Sequence, residues 1–214
     1  MALTRRLEPP AMIDATTALG RLQEGNRRFV ESGASHVPAD PAALRELAHR
    51  QEPFAIVLGC SDSRVPAEIV FDQGLGDLFV IRVAGNIVAP SQIGSVEFAA
   101  AAFGTRLVVV LGHTSCGAIS ATVDEVITPD RVDSPNLRSI VDRIRPTVQT
   151  LVEGQPPQER DTLIARAARA NVRASVDHLR HGSALLEALV AGDGLLVVGA
   201  EYSLETGRVD FFHR

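Results

Sequence analysis

The sequence predicts an α/β fold built on a mainly parallel central sheet of about five strands flanked by helices. Four short segments consist almost entirely of Val, Ile, Leu, Phe and Gly, without the alternation of polar and apolar residues that an exposed sheet face imposes. These segments are residues 54–59, 78–83, 107–112 and 195–199. Helical patterns lie between them, and strands that alternate with helices favour a parallel sheet covered on both faces.

The last predicted strand differs from the other four. Residues 208–212 follow the turn formed by Glu205, Thr206 and Gly207, and a connection this short favours a hairpin with the preceding strand. We therefore expect the last strand to run antiparallel at an edge of the sheet.

Capping residues and apolar spacing indicate where the helices lie. Two pairs combine an N-cap residue with proline at the first helical position, namely Asp40-Pro41 and Ser134-Pro135. Ser91 is predicted to cap a helix that continues to Phe103, and Gly104 is predicted to end it. Apolar residues at helical spacing also predict helices over residues 14–32 and 160–180.

Length and composition favour one large domain. The chain has 214 residues, of which 45% are hydrophobic and 22% are charged, so it can bury a sizeable core. Because no repeat or linker interrupts it, we predict a single domain over residues 1–214 that includes an N-terminal helical arm, residues 1–35. That arm and residues 94–103 (GSVEFAAAAF), which are apolar on nearly every face, are expected to be buried in a dimer interface.

Charge and cysteine content exclude several classes of protein. The net charge is −5 and no basic run exceeds two residues, which argues against a nucleic-acid partner. No apolar stretch is long enough for a secretory signal or a membrane span, so no membrane partner is expected. With only two cysteines and no other sign of an oxidising compartment, reduced thiols and a cytoplasmic location are predicted.

Two motifs follow predicted strands and carry metal-binding side chains. CSDSR comes directly after residues 54–59, and HTSCG comes directly after residues 107–112. Both therefore lie at the carboxyl ends of parallel strands, where open α/β sheets bind their ligands. Cys60, His113 and Cys116 supply two thiolates and one imidazole, a set suited to zinc, and three protein ligands leave the fourth tetrahedral position open, as in a catalytic site.

Asp62 and Arg64 supply a carboxylate and a cation beside the first cysteine. The guanidinium of Arg64 matches a carboxylate geometrically, and if it holds Asp62, that carboxylate is turned from the metal. Asp62 can then accept a hydrogen bond from a water on zinc, whose pKa the metal lowers to about 7. The simpler alternatives are a surface ion pair and a Cys60–Cys116 disulfide, but a disulfide would leave His113 without a role.

CSDSRVPAE, RVAGN and GHTSCGA resemble the signature segments of the β-class carbonic anhydrases. The resemblance extends from residues 22–29 to the strand around Val197, which is nearly the whole chain. It implies the reversible hydration of carbon dioxide to bicarbonate and a proton by a zinc-bound hydroxide. It also implies one zinc per chain on Cys60, His113 and Cys116, with Asp62 and Arg64 as the catalytic pair, in a homodimer or an assembly of dimers.

The same resemblance bears on regulation, because some members have an inhibitory bicarbonate pocket. Those members carry a Trp three residues before the first cysteine, a Tyr fifteen before the histidine and an Arg in the RVAGN region. The residue that corresponds to Asp62 is their fourth zinc ligand. The corresponding residues here are Val57, Phe98 and Arg82, so two of the three groups are missing. We therefore expect an open site at and above about pH 7.5 and no cooperative inhibition by bicarbonate, with closure of Asp62 onto the zinc left open as an alternative below about pH 7.

Members without that pocket suggest which residues bind the substrate. Gln51 corresponds to a glutamine whose amide helps to bind carbon dioxide in an apolar cleft, and Phe79 and Phe98 match aromatic positions of that cleft. Gly117 could offer a backbone N–H near the site.

Two alternative functions remain open from the sequence alone. The first is hydrolysis of carbonyl sulfide or carbon disulfide on the same scaffold, for which the zinc ligands would be identical. The second is a non-catalytic protein, stabilised by zinc or sensing redox state, which predicts a closed four-ligand site with no use for Arg64.

Overall fold

The computed structural model describes residues 13–33, 41–129, 132–153 and 159–212, except for the side chain of residue 43. The predicted cap Asp40 and the two ends of the predicted N-terminal arm lie outside these ranges. The helices are α1 Ala15–Ser32, α2 Pro41–Leu47, α3 Ala67–Val70, α4 Pro90–Ala102, α5 Gly117–Ile127, α6 Pro135–Glu153, α7 Arg160–His181 and α8 Ala184–Gly192. The strands are β1 Ala55–Gly59, β2 Leu78–Arg82, β3 Leu107–His113, β4 Leu196–Tyr202 and β5 Val209–Phe212, and a 3₁₀ turn spans Ala84–Asn86.

The five strands form one sheet in the order β2-β1-β3-β4-β5. Strands β1 to β4 run parallel to one another, and β5 pairs antiparallel with β4 at the edge. The predicted α/β class is therefore confirmed, including the antiparallel edge strand. Every residue of β1 and β3 is buried, as the unbroken apolar runs in the sequence predict.

Helices cover both faces of the sheet. On one face, α1 and α3 pack against the strands, with Leu22 and Phe71 fully buried. On the other face, α4, α7 and α8 cover a second apolar cluster. A third cluster extends beyond the carboxyl ends of the strands, where α5, α6 and α7 surround Cys60 and Cys116.

Helix α1 packs on the sheet of its own chain. Asp14 caps it by accepting hydrogen bonds from the backbone N–H groups of Thr16 and Thr17, both at 2.9 Å. Asn26, buried in the same helix, donates to the carbonyl of Gly207 at 2.8 Å and accepts from the backbone N–H of Val209 at 2.9 Å. These bonds hold the amino-terminal helix against the far end of the chain.

The helix starts match the sequence in one case and differ in another. The hydroxyl of Ser134 accepts a hydrogen bond from the backbone N–H of Leu137 at 3.4 Å, as expected for the predicted N-cap of α6. The prediction for α4 is wrong: Pro90 is the first helical residue, Ala89 stands at the N-cap, and Ser91 lies inside the first turn. Proline at the first helical position has its φ angle already fixed, so this start does not need a capping side chain.

One face of α4 is exposed on the single chain. Gly94, Phe98, Ala101 and Ala102 all face solvent, and Phe98 is 56% exposed, although the sequence predicts burial all round. None of the helices in the described part of the chain combines the length and the apolar character needed to cross a bilayer.

Gly25→Ala tests the packing of α1 against the α3 region. A Cβ at this position would overlap the backbone oxygen of Phe71, the residue that follows α3, so one of the two backbones would have to shift. We expect the free energy of unfolding to fall by about 2 kcal/mol or more, measured by urea denaturation. Gly20→Ala is the matched control: a Cβ there meets nothing within 4 Å, so stability should stay equal or rise by up to about 1 kcal/mol. Equal effects of the two substitutions would contradict the packing described here.

Candidate metal centre

The register of the sheet brings the two cysteine-containing motifs together. β1 and β3 are adjacent parallel strands, and Gly59, the last residue of β1, pairs with Leu111. Cys60 follows β1 at once, His113 ends β3, and Cys116 precedes the first residue of α5. Because parallel strands end at the same edge of the sheet, the three side chains meet there.

The three side chains form a compact cluster of donor atoms. The sulfurs of Cys60 and Cys116 are 4.0 Å apart, and the candidate ligand atoms of all three residues lie within 4.8 Å of one another. His113 is 0% exposed, Cys116 1% and Cys60 5%. Both cysteines are free thiols, so the alternative of a Cys60–Cys116 disulfide is not what the structure shows.

A tight turn between His113 and Cys116 directs both toward one point. Ser115 in that turn has a φ of 54°, in the left-handed region that few residues other than glycine adopt. Thr114 holds this turn against the end of β4 and the residues that follow it. Its N–H donates to the carbonyl of Tyr202 at 3.0 Å, and its hydroxyl accepts from the N–H of Leu204 at 3.0 Å.

The hydrogen bonds of His113 leave one ring nitrogen available to a metal. Nδ1 lies 2.9 Å from the carbonyl of Thr114, which assigns the proton to Nδ1. Nε2 then carries a lone pair, and it is a buried nitrogen without a hydrogen-bond partner among the described residues. An imidazole held this way is typical of a metal ligand, whose second nitrogen donates to a neighbouring oxygen. With the two sulfurs, the donor set fits zinc.

A hydrogen bond between the two thiols shifts their pKa values in opposite directions. The hydrogen bond from the Cys116 thiol lowers the pKa of Cys60 to about 4, and the same bond raises the pKa of Cys116. Burial acts to lower the pKa of His113, but the neighbouring Cys60 thiolate outweighs it and raises the pKa. The low pKa of Cys60 favours its thiolate form, and a thiolate is the form of cysteine that binds a metal cation.

Asp62 and Arg64 form a bidentate pair beside the cluster. Nε of Arg64 donates to one carboxylate oxygen at 2.9 Å, and a terminal nitrogen donates to the other at 2.7 Å. The backbone N–H of Arg64 also donates to Asp62 at 3.0 Å. The Arg64 bonds hold the pKa of the Asp62 carboxyl well below its usual range. One oxygen of Asp62 lies 3.9 Å from Nε2 of His113, so the carboxylate stands next to the candidate ligand atoms.

Two further contacts, which the sequence did not reveal, hold the first motif. Arg82 donates to the carbonyl oxygens of Cys60 at 3.0 Å and Asp62 at 2.6 Å. The backbone N–H of Gly85 donates to the sulfur of Cys60 at 3.4 Å. Both residues belong to the RVAGN segment between the two motifs. The resemblance of that segment to the family was the signal in the sequence that could have indicated these contacts.

Three of the four predicted substrate-binding residues are not near the cluster within one chain. Gln51 precedes β1, so the length of that strand, about 16 Å, separates it from Cys60. Phe79 lies in the first half of β2, with its ring centroid 6.1 Å from that of Phe98 on α4. Gly117, by contrast, is the first residue of α5 and follows Cys116 directly.

Comparisons with known proteins agree with the motifs and with the fold. Residues 55–209 match the family model described as carbonic anhydrase. Carbonic anhydrase 2 of Mycobacterium tuberculosis is 38% identical over 189 residues, which cover 87% of this chain and 87% of that protein. The carbonic anhydrase of Mycolicibacterium smegmatis is 38% identical over 190 residues, covering 88% and 89% respectively.

A solved structure extends the similarity to the fold and the class. The β-carbonic anhydrase CafA of Aspergillus fumigatus superposes with a TM-score of 0.71 at 26% identity, covering 92% of this chain and 89% of that one. The chain therefore belongs to the carbonic anhydrase family, and within it to the β class.

Proposed function

We propose that this protein catalyses the reversible hydration of carbon dioxide to bicarbonate and a proton, with one zinc bound per chain. The observation that carries the proposal is the buried cluster of Cys60, His113 and Cys116 with the Asp62–Arg64 pair beside it. The cluster alone could be structural. A carboxylate held next to it by a bidentate arginine is what a hydration reaction needs.

Cys60, His113 and Cys116 would hold the zinc. Two sulfurs and Nε2 of His113 are three ligands, which leaves a fourth tetrahedral position for water or substrate. When bound, zinc supplies a Lewis acid that lowers the pKa of a water in that position to about 7. The surrounding apolar cluster keeps the three side chains away from bulk solvent.

Asp62 would orient the attacking water. Its carboxylate is ionised, stands 3.9 Å from Nε2 of His113 and is 17% exposed, so it can accept a hydrogen bond from a water beside the cluster. Arg64 fixes the direction of that carboxylate through both oxygens and keeps it from becoming a fourth ligand. The non-catalytic alternative gives Arg64 no use and therefore does not account for this pair.

Gln51, Phe79 and Phe98 can serve the reaction only from a second chain. They lie at the opposite end of the sheet from the cluster, and Phe98 projects from an exposed apolar face of α4. We therefore propose a homodimer, or an assembly of dimers, in which this face meets the candidate metal centre of the partner. Burying an exposed apolar face of this kind favours association.

Loss of a single ligand tests the metal site. Cys60→Ser, His113→Ala and Cys116→Ser should each lower the zinc content far below one per chain and abolish carbon dioxide hydration, measured by elemental analysis and stopped flow. His181→Ala, at an exposed histidine of α7, is the control and should keep both. Full zinc content in one of the three ligand variants would remove that residue from the ligand set. Wild-type turnover of carbonyl sulfide or carbon disulfide, without carbon dioxide hydration, would reassign the substrate.

Arg64→Ala tests the role of the Asp62–Arg64 pair. Without the guanidinium, Asp62 is free to occupy the fourth position on zinc, so the variant should keep its zinc and lose activity by about a hundredfold. Arg27→Ala removes an exposed arginine that also pairs with two carboxylates and should leave activity unchanged. Wild-type turnover in Arg64→Ala would mean that the pair only stabilises the loop.

Mixing inactive variants tests whether Gln51 acts across subunits. A heterodimer of Gln51→Ala and His113→Ala contains one site with all its ligands and a glutamine from the partner. Random pairing should therefore restore about a quarter of wild-type activity. A mixture of His113→Ala and Cys116→Ser, which cannot form a complete site, is the control. Activity no higher than the mean of the two separate variants would place Gln51 outside the partner's site, and full activity of Gln51→Ala alone would deny it a role.

A further inference from the structure

The sulfur of Cys60 accepts a hydrogen bond whose donor lies in another segment of the chain. The donor is the backbone N–H of Gly85, at 3.4 Å, in the 3₁₀ turn Ala84–Asn86 after β2. A hydrogen bond to a thiolate withdraws electron density from the sulfur. In metal sites, partners of this kind tune the metal and commonly change its affinity by 10 to 100-fold.

The turn that carries this N–H has an unusual backbone. Gly85 has a φ of 69°, and Asn86 has a φ of 42° although it is not glycine. A Cβ at Gly85 would stand 2.8 Å from Ile144 and 3.1 Å from Ala118, so the turn is also tightly enclosed. A strained backbone of this kind persists only where its surroundings fix it.

Helix α7 fixes the turn through two buried side chains. Nδ2 of Asn171 donates to the carbonyl of Gly85 at 2.8 Å, and the hydroxyl of Ser175 donates to the carbonyl of Asn86 at 3.1 Å. The two residues are one helical turn apart and therefore share a face of α7. Their exposures are 3% and 5%, so neither bond is open to competition from bulk water.

Packing alone does not account for these two polar residues. The same helix buries Val172 and Val176 against the sheet, and apolar residues would fill the space at Asn171 without a hydrogen-bond requirement. Burying an amide is favourable only where its bonds are made. Here they are made to the carbonyl oxygens of the turn that touches the Cys60 sulfur.

We propose that Asn171, assisted by Ser175, is a positioning residue for the metal centre. It locks the 84–86 turn so that the N–H of Gly85 stays on the Cys60 sulfur, which limits electron donation from that thiolate and keeps the metal a stronger Lewis acid. The proposal rests on the proposed function in one respect, namely that Cys60 binds the metal.

The test uses cobalt(II) in place of zinc, because sulfur-to-cobalt charge-transfer absorption reports on the electron density of the thiolates. Asn171→Leu keeps the approximate size of the side chain and removes its donor. We expect its charge-transfer band to move to lower energy, since the Cys60 sulfur loses part of its hydrogen bond. Competition with a chelator at neutral pH should show zinc affinity weakened by about tenfold, because the Cys60 thiolate is then less well stabilised against protonation and less firmly positioned.

Two other variants separate positioning from general support of the fold. Ser175→Ala, a smaller change, should shift the band in the same direction and decides the question if Asn171→Leu does not fold. Thr105→Val removes another buried bond, from the Thr105 hydroxyl to the carbonyl of Pro53 at 2.6 Å, at the opposite end of the sheet. It should leave the band and the zinc affinity at wild-type values.

The outcomes distinguish this inference from the proposed function. A wild-type protein without a sulfur-to-cobalt band would refute the metal site itself. A normal wild-type band that stays unchanged in both α7 variants, or that shifts equally in Thr105→Val, would show that Asn171 and Ser175 only support the fold.

Discussion

The site depends on one constraint, the in-register pairing of two adjacent parallel strands. β1 and β3 are adjacent parallel strands, and residues Ile56 to Gly59 of β1 pair in order with Val108 to Leu111 of β3. Their carboxyl ends therefore coincide. This places Cys60, directly after one strand, beside His113, at the end of the other, although 53 positions separate them in the sequence. The other contacts at the cluster adjust the positions of side chains that the sheet already places side by side.

At these strand ends the metal-binding cluster and the Asp62–Arg64 pair are two separate groups of side chains. The cluster contains the candidate ligand atoms, while Arg64 holds the neighbouring carboxylate of Asp62 through both of its oxygens. A charge-assisted bidentate pair is well suited to this, because it fixes a carboxylate in direction as well as in position. Arg82 and the N–H of Gly85 then hold the first motif from the side of β2. The candidate metal centre is thus supported by three neighbouring strand ends.

The sequence predicted the strands and the cluster, but it misplaced one helix start and did not predict contacts between segments that are far apart in the chain. Unbroken apolar runs indicated the strands, and motifs directly after them indicated the cluster, because strand ends in a parallel sheet share an edge. The start of α4 was misplaced at Ser91 because proline at the first helical position makes a capping side chain unnecessary. Nothing local to Asn171 shows that its amide reaches a turn 86 residues away. The distance between Gln51 and the cluster likewise follows only from the position and length of β1, which lies between them.

The measurement that tests the account most directly is a crystal structure of the zinc-loaded wild-type protein at about pH 8, above the pKa expected for a water on zinc. We expect zinc bonded to the sulfurs of Cys60 and Cys116 and to Nε2 of His113, with the bidentate Asp62–Arg64 pair intact. A carboxylate oxygen of Asp62 on the metal, with Arg64 detached, would contradict it.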